Sequence, residues 1–174
     1  MNSVHPMLTN ILAIADPATW QKSIDLADEA LSVWLKTPRE FKRIYLVGHG
    51  SSLYNAQVGE YVLEHIAGIP SKAIPAFAFA AYMEQSLLDS QTLVIGISTT
   101  GETQSVCDAL ERARQAGSLT LAITAHKNSA ITHNVDAVIF SGGEDDQISV
   151  KRNLMCRRLS LFIFWHFTWL EMHS

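Results

Sequence analysis

A chain of 174 residues, 48% hydrophobic and 17% charged, is long enough for one domain with a sizeable core and too apolar to be disordered. Its formal net charge of -4 offers no basic surface for nucleic acid, and its two cysteines, Cys107 and Cys156, make no disulfide framework. The N-terminus lacks the basic and apolar regions of a signal peptide, and no internal stretch convincingly has the apolar length of a membrane span, so a cytoplasmic protein with no membrane partner is expected.

Residues 5–36 read as helical. Asp16-Pro17 starts a helix, because proline early in a helix forfeits no needed N–H, and Ile24, Leu26, Leu31 and Trp34 supply an apolar face. A polar connection, 36–43, leads to a strand at 44–47. A helix follows over 51–67 and ends at Gly68-Ile69-Pro70. A short strand is expected at 73–77 and a short helix at 80–87. The run 92–97 is apolar at consecutive positions, as a strand covered on both faces requires. A helix over 103–116 ends at Gly117. A strand at 119–124, a short helix or turn at 129–134, a strand at 137–140 and a glycine-acidic loop at 142–146 complete the series. Strands alternating with helices imply right-handed crossovers and a parallel sheet. Ligands in such sheets bind beyond the carboxyl ends of the strands.

Two polar turns lie at those ends. Gly48-His49-Gly50-Ser51-Ser52 follows the first strand, and Ser98-Thr99-Thr100-Gly101-Glu102-Thr103 follows the third. Each opens a helix, whose free N–H groups and partial positive charge suit a phosphate. The first turn alone is ambiguous. A dinucleotide fingerprint would need a third glycine where Leu53 stands, and Ser51 or Ser52 could simply cap the helix. The second turn is stronger: a helix start needs one capping hydroxyl, and Ser98, Thr99, Thr100 and Thr103 supply four. Gly101 allows positive φ or a close backbone approach. Glu102 is expected in the first helical turn as a partner of the helix dipole, a structural role. His49 reads either as a proton-moving group or as a loop residue bonded to backbone. His65 reads as a surface or edge residue. His126 and His133 lack metal-ligand spacing, and Cys107 reads as a small core residue.

At these two turns, and in the strand-helix order between them, the sequence resembles the sugar isomerase (SIS) domain family over about residues 40–151. Within that family it is similar to the first of the two SIS domains in the isomerase half of the glucosamine-6-phosphate synthases and of related isomerases and deglycases. The resemblance implies an α/β fold, a three-layer αβα sandwich with a five-stranded parallel, flavodoxin-like sheet. It implies a ligand that is a hexose or amino-sugar phosphate, with phosphate held by Ser98, Thr99, Thr100, Gly101 and Thr103, and a sugar site lined by Gly50, Ser51 and Ser52. Many members carry Ser-Gln-Ser-Gly-Glu-Thr where this chain has Ser98-Thr99-Thr100-Gly101-Glu102-Thr103, so Thr99 replaces a longer amide. No cofactor and no metal are implied.

The isomerising groups of the synthases come mainly from the second SIS domain and the C-terminal tail, so no catalytic residue is assigned here. Met1 is not followed by the cysteine of a glutaminase. The chain therefore divides into an N-terminal helical segment (1–40), a SIS domain (41–151) and an anomalous tail (152–174). The tail is almost wholly apolar over 159–170, with Trp165 and Trp169. Codons compatible with the residues from Lys151 to Ser160 read in another frame as Thr-Lys-Ser-Tyr and then a helical pattern, the family's usual continuation. The tail is therefore read as a frameshift product that shortens a two-domain parent. Two functions are expected from these readings: the phosphosugar-binding half of an isomerase or deglycase, inactive by itself, or a phosphosugar-sensing module. The apolar tail is expected to drive a homodimer or larger assembly.

Overall fold

The computed structural model describes Gln21, Asp25 and residues 41–66 and 68–141. Five strands form one parallel sheet: β1 (Arg43–Gly48), β2 (Ser71–Pro75), β3 (Thr92–Ile97), β4 (Leu119–Thr124) and β5 (Ala137–Phe140). Their spatial order is β2-β1-β3-β4-β5. The chain steps from β1 outward to β2, then crosses back to place β3 on the other side of β1. The order therefore reverses between β1 and β3, which is where a doubly wound sheet opens a crevice. Gly48 lies in register with Ile97, so the turns leaving β1 and β3 are neighbours at that crevice.

Among the described residues three helices cover the sheet: α1 (Ser51–His65), α2 (Ala76–Tyr82) and α3 (Gln104–Gln115). All six residues of β3 are buried, as its unbroken apolar run requires of a strand covered on both faces. On one face Ala56, Val62 and Leu63 of α1 join Ile44, Leu46, Leu93, Ile95 and Ile97. On the other, Phe79 of α2 and Val106, Ala109, Leu110 and Ala113 of α3 meet Val47, Val94 and Ala122. The α3 residues stand at i, i+3, i+4 and i+7, one stripe of a helix with 3.6 residues per turn. The edge strand β2 is protected by α1, whose Glu60 accepts the Ala73 N–H at 2.7 Å and whose Glu64 accepts the Ser71 N–H at 3.2 Å.

The expected α/β sheet with its five strands is present. The second strand and the following helix start earlier than the sequence reading placed them. The strand is Ser71–Pro75 rather than 73–77, and the helix is Ala76–Tyr82 rather than 80–87. Residues 85–87 form only a single 3₁₀ turn. Alternation of Ala and Phe from Ala76 onward mimics strand periodicity. Burial shows instead a short helix with Ala76 and Phe79 inward and Phe77 outward. Arg112 of α3 fixes the end of α2 by donating to the carbonyls of Ala80 (3.1 Å) and Met83 (2.7 Å). Of the expected helix over 5–36, Gln21 and Asp25 are helical, with the Gln21 amide donating to the Asp25 carboxylate at 2.8 Å. The remainder of that helix, the 142–146 loop and the 152–174 tail lie outside the described residues.

Candidate functional site

The first turn enters α1 through Gly50, which adopts φ +55° and serves as the N-cap. No side chain caps this helix. Neither Ser51 nor Ser52 is the N-cap, and both lie within the first helical turn, Ser51 half-buried and Ser52 buried. His49 is exposed, and its backbone carbonyl rather than its ring makes the local bond, accepting the Ser52 N–H at 3.1 Å. His65 is exposed at the far end of α1, where its ring stacks on Tyr61 with centroids 4.4 Å apart.

The second turn is a closed hydrogen-bonded loop. The buried Ser98 hydroxyl accepts the Gly101 N–H at 3.0 Å and bonds the Thr103 hydroxyl at 3.1 Å. Thr100 Oγ1 accepts the Glu102 N–H at 3.3 Å. The Thr99 carbonyl accepts the Ala125 N–H at 3.2 Å and the Thr124 hydroxyl at 3.4 Å, which binds the turn to the end of β4. Thr103 is the N-cap of α3 but makes no side-chain cap bond. The first N–H groups of α3, at Gln104 and Ser105, have no intrahelical acceptor. Thr100, three residues before the N-cap, is exposed.

Gly101 is required twice. Its φ is +72°, and a Cβ there would overlap the Ser129 side chain. Its carbonyl also accepts the Ile131 N–H at 2.8 Å. Glu102 does not stand in the first turn of α3 as expected. It precedes the N-cap, and its carboxylate accepts the Ala130 N–H at 3.1 Å. It makes a structural contact with a different partner from the one expected. Together these contacts clamp the Ser98–Thr103 turn to the loop after β4.

Between that turn and that loop lies an open cleft of about 600 Å³, lined by Thr100, Glu102, His126, Lys127, Asn128 and Ser129. His126, Lys127 and Asn128 were not among the expected site residues. The rule that pointed to the ends of β1 and β3 applies equally to β4, and applied there it finds them. Lys127 brings a positive charge to the cleft, with its ammonium 6.0 Å from the centre of the Phe140 ring. Cys107 is half-buried, and burial, followed by the charges of Asp108 and Glu102, pushes its thiol above the ordinary range. A thiol so placed carries little thiolate near neutral pH and is a poor nucleophile. Among the described residues no helix is long and apolar enough to cross a membrane.

Residues 39–153 match the family model described as the SIS domain. The chain is 29% identical over 131 residues to the glutamine–fructose-6-phosphate aminotransferase (isomerizing) of Thermus thermophilus, a match covering 74% of this chain and 21% of that protein. The chain thus spans about a fifth of the length of that curated relative. Among solved structures it is similar to the C-terminal domain of glucosamine-fructose-6-phosphate aminotransferase from Francisella tularensis, with TM-score 0.75 and 18% identity, over 98% of this chain and 49% of that one. It is likewise similar to glucosamine-6-phosphate deaminase from Thermotoga maritima, with TM-score 0.64 and 22% identity, over 92% of this chain and 48% of that one.

Proposed function

The chain belongs to the SIS domain family, and from that membership we propose that its paired turns bind a hexose or amino-sugar phosphate. The observation that carries this reading is the uncapped start of α3. No side chain caps its first N–H groups, and the turn before them carries more hydroxyls than a cap needs. A phosphate satisfies such groups at once and gains from the helix dipole. Thr100, Thr103 and the N–H groups after them take the phosphate in this reading, with Ser98, Thr99 and Gly101 building the turn. Gly50, Ser51 and Ser52 face the sugar. Lys127 adds charge complementarity across the cleft.

The relatives named as aminotransferases and a deaminase support amino-sugar phosphate metabolism as the setting, with an isomerase or deglycase as the class of parent activity. A phosphosugar-sensing module is the second reading. It is favoured by the character of the second turn, whose Ser and Thr hydroxyls bind well but move no protons near neutral pH. In both readings the protein is cytoplasmic. Residues 41–151 are the binding domain in this reading, between an N-terminal segment (1–40) and a tail of apolar sequence (152–174). A homodimer or larger assembly is supported by an uncharged stripe on α1, where Tyr54, Val58 and Tyr61 are exposed at helical spacing.

Thr100→Ala and Thr103→Ala are each expected to weaken glucose 6-phosphate binding by about 1 kcal/mol or more, the contribution of a hydrogen bond to a charged group. Calorimetric titration of the purified chain measures this. Unchanged affinity in both variants would remove the phosphate from this turn.

A further inference from the structure

Polar side chains cluster along the carboxyl ends of the strands, and most are satisfied within the protein. The Ser98 hydroxyl bonds Gly101 and Thr103, and the Thr124 hydroxyl bonds Thr99 and His126. Ser129 donates to the His126 carbonyl and Ser141 to that of Thr124. Asn55 differs. It is only 2% exposed, and among the described residues its buried side-chain carbonyl Oδ1 has no hydrogen-bond partner. Buried polar atoms are rarely left so, because the water they lose is not replaced.

The position of Asn55 locates the missing partner. With Ser52, Ala56, Gly59, Val62 and Leu63, it belongs to the inner face of α1, which packs on β1, β2 and β3. It stands five residues past the N-cap Gly50, about 7 Å along a helix rising 1.5 Å per residue. That keeps it toward the carboxyl ends of the strands, the end of the sheet where Gly48 and Ile97 lie in register. Deeper inner positions on the same helix are apolar, namely Val62 and Leu63. Leucine has nearly the shape of asparagine and would leave no orphan atom there.

We propose that Asn55 is a ligand-binding residue whose carboxamide takes a hydroxyl of the sugar. This rests on the phosphosugar reading of the two turns and extends it to the sugar half of the ligand. The chemistry selects that half: a carbonyl oxygen accepts only, so it repels phosphate oxygens and requires a donor. A sugar hydroxyl both donates and accepts, and so satisfies the carboxamide in either orientation of its O and N atoms.

Asn55→Leu separates this role from a structural one. Glucose 6-phosphate and inorganic phosphate are the probes, titrated against the full chain and read beside thermal unfolding. The expected variant binds glucose 6-phosphate about fivefold or more weakly, the loss of one net hydrogen bond. Its affinity for inorganic phosphate is unchanged and its unfolding midpoint is equal or higher. Asn55→Ser, which keeps a small polar group, is expected to show the same selective loss should the leucine variant fail to fold. A lower midpoint with both affinities unchanged would make Asn55 a structural residue and overturn the assignment, as would an equal loss of both probes. A wild-type chain that binds neither probe overturns the phosphosugar reading itself, and this assignment with it.

Discussion

Gly101→Ala is expected to destabilise the fold by about 2–4 kcal/mol and to remove phosphosugar binding, because it combines backbone strain with an overpacked contact. The residue sits at φ +72°, where a side chain is strained whatever the space around it. Here there is no space, since a Cβ would overlap the Ser129 side chain. Ser129 is buried and donates to the His126 carbonyl, so it cannot move away without opening the loop that lines the cleft. Shifting Gly101 instead would strain its carbonyl bond to the Ile131 N–H and the Ser98 bond to its own N–H. Gly117→Ala is the matched control. Its φ is +87°, but a Cβ there meets nothing within 4 Å. That substitution is expected to cost only the conformational penalty, about 1 kcal/mol. Urea unfolding of both variants measures the difference. Equal destabilisation would mean that the contact with Ser129 contributes nothing.

The second large effect belongs to the core. Phe79→Ala is expected to cost about 3–5 kcal/mol, the usual range for truncating a buried aromatic side chain, whereas Phe77→Ala is expected to fall within about 0.5 kcal/mol of wild type. Phe79 is fully buried, packs with Val47, Val94 and Val106, and meets the Tyr45 ring edge-on at a centroid distance of 5.7 Å. Phe77, two residues away, is 62% exposed. Denaturant titration of the two variants provides the comparison. Similar losses would show both rings to be buried together, as residues i and i+2 on one face of a strand are.

That pair marks where sequence reasoning reached its limit. Residues 76–80 read Ala-Phe-Ala-Phe-Ala, and alternation by itself favours a strand. What decides for helix is tertiary: Arg112 takes the carbonyls of Ala80 and Met83, 32 and 29 residues away, at the end of α2. That contact is not legible locally. The sheet was legible, because strands buried on both faces must be apolar at every position, as residues 93–97 are. The two turns were legible for a related reason: hydroxyls beyond what a cap requires leave a surplus to explain. Glu102 shows the intermediate case. A carboxylate near a helix start suggests a dipole partner, yet its acceptor role is filled by the Ala130 N–H on another loop. His126, Lys127 and Asn128 were missed because a loop after β4 with no glycine-rich signature looks ordinary until the clamp through Gly101 brings it alongside the second turn.

Phosphosugar is proposed to bind at the carboxyl ends of β1 and β3. Backbone amide chemical shifts during titration with glucose 6-phosphate test it most directly. The largest changes are expected at Ser51 and Ser52 and from Thr100 to Ser105, with smaller ones at His126 and Lys127. The opposite end of the sheet offers a fair competitor, a basic cleft of about 350 Å³ that includes Lys42, Arg43 and Lys72. Changes confined to those residues, with the two turns unmoved, would contradict the claim.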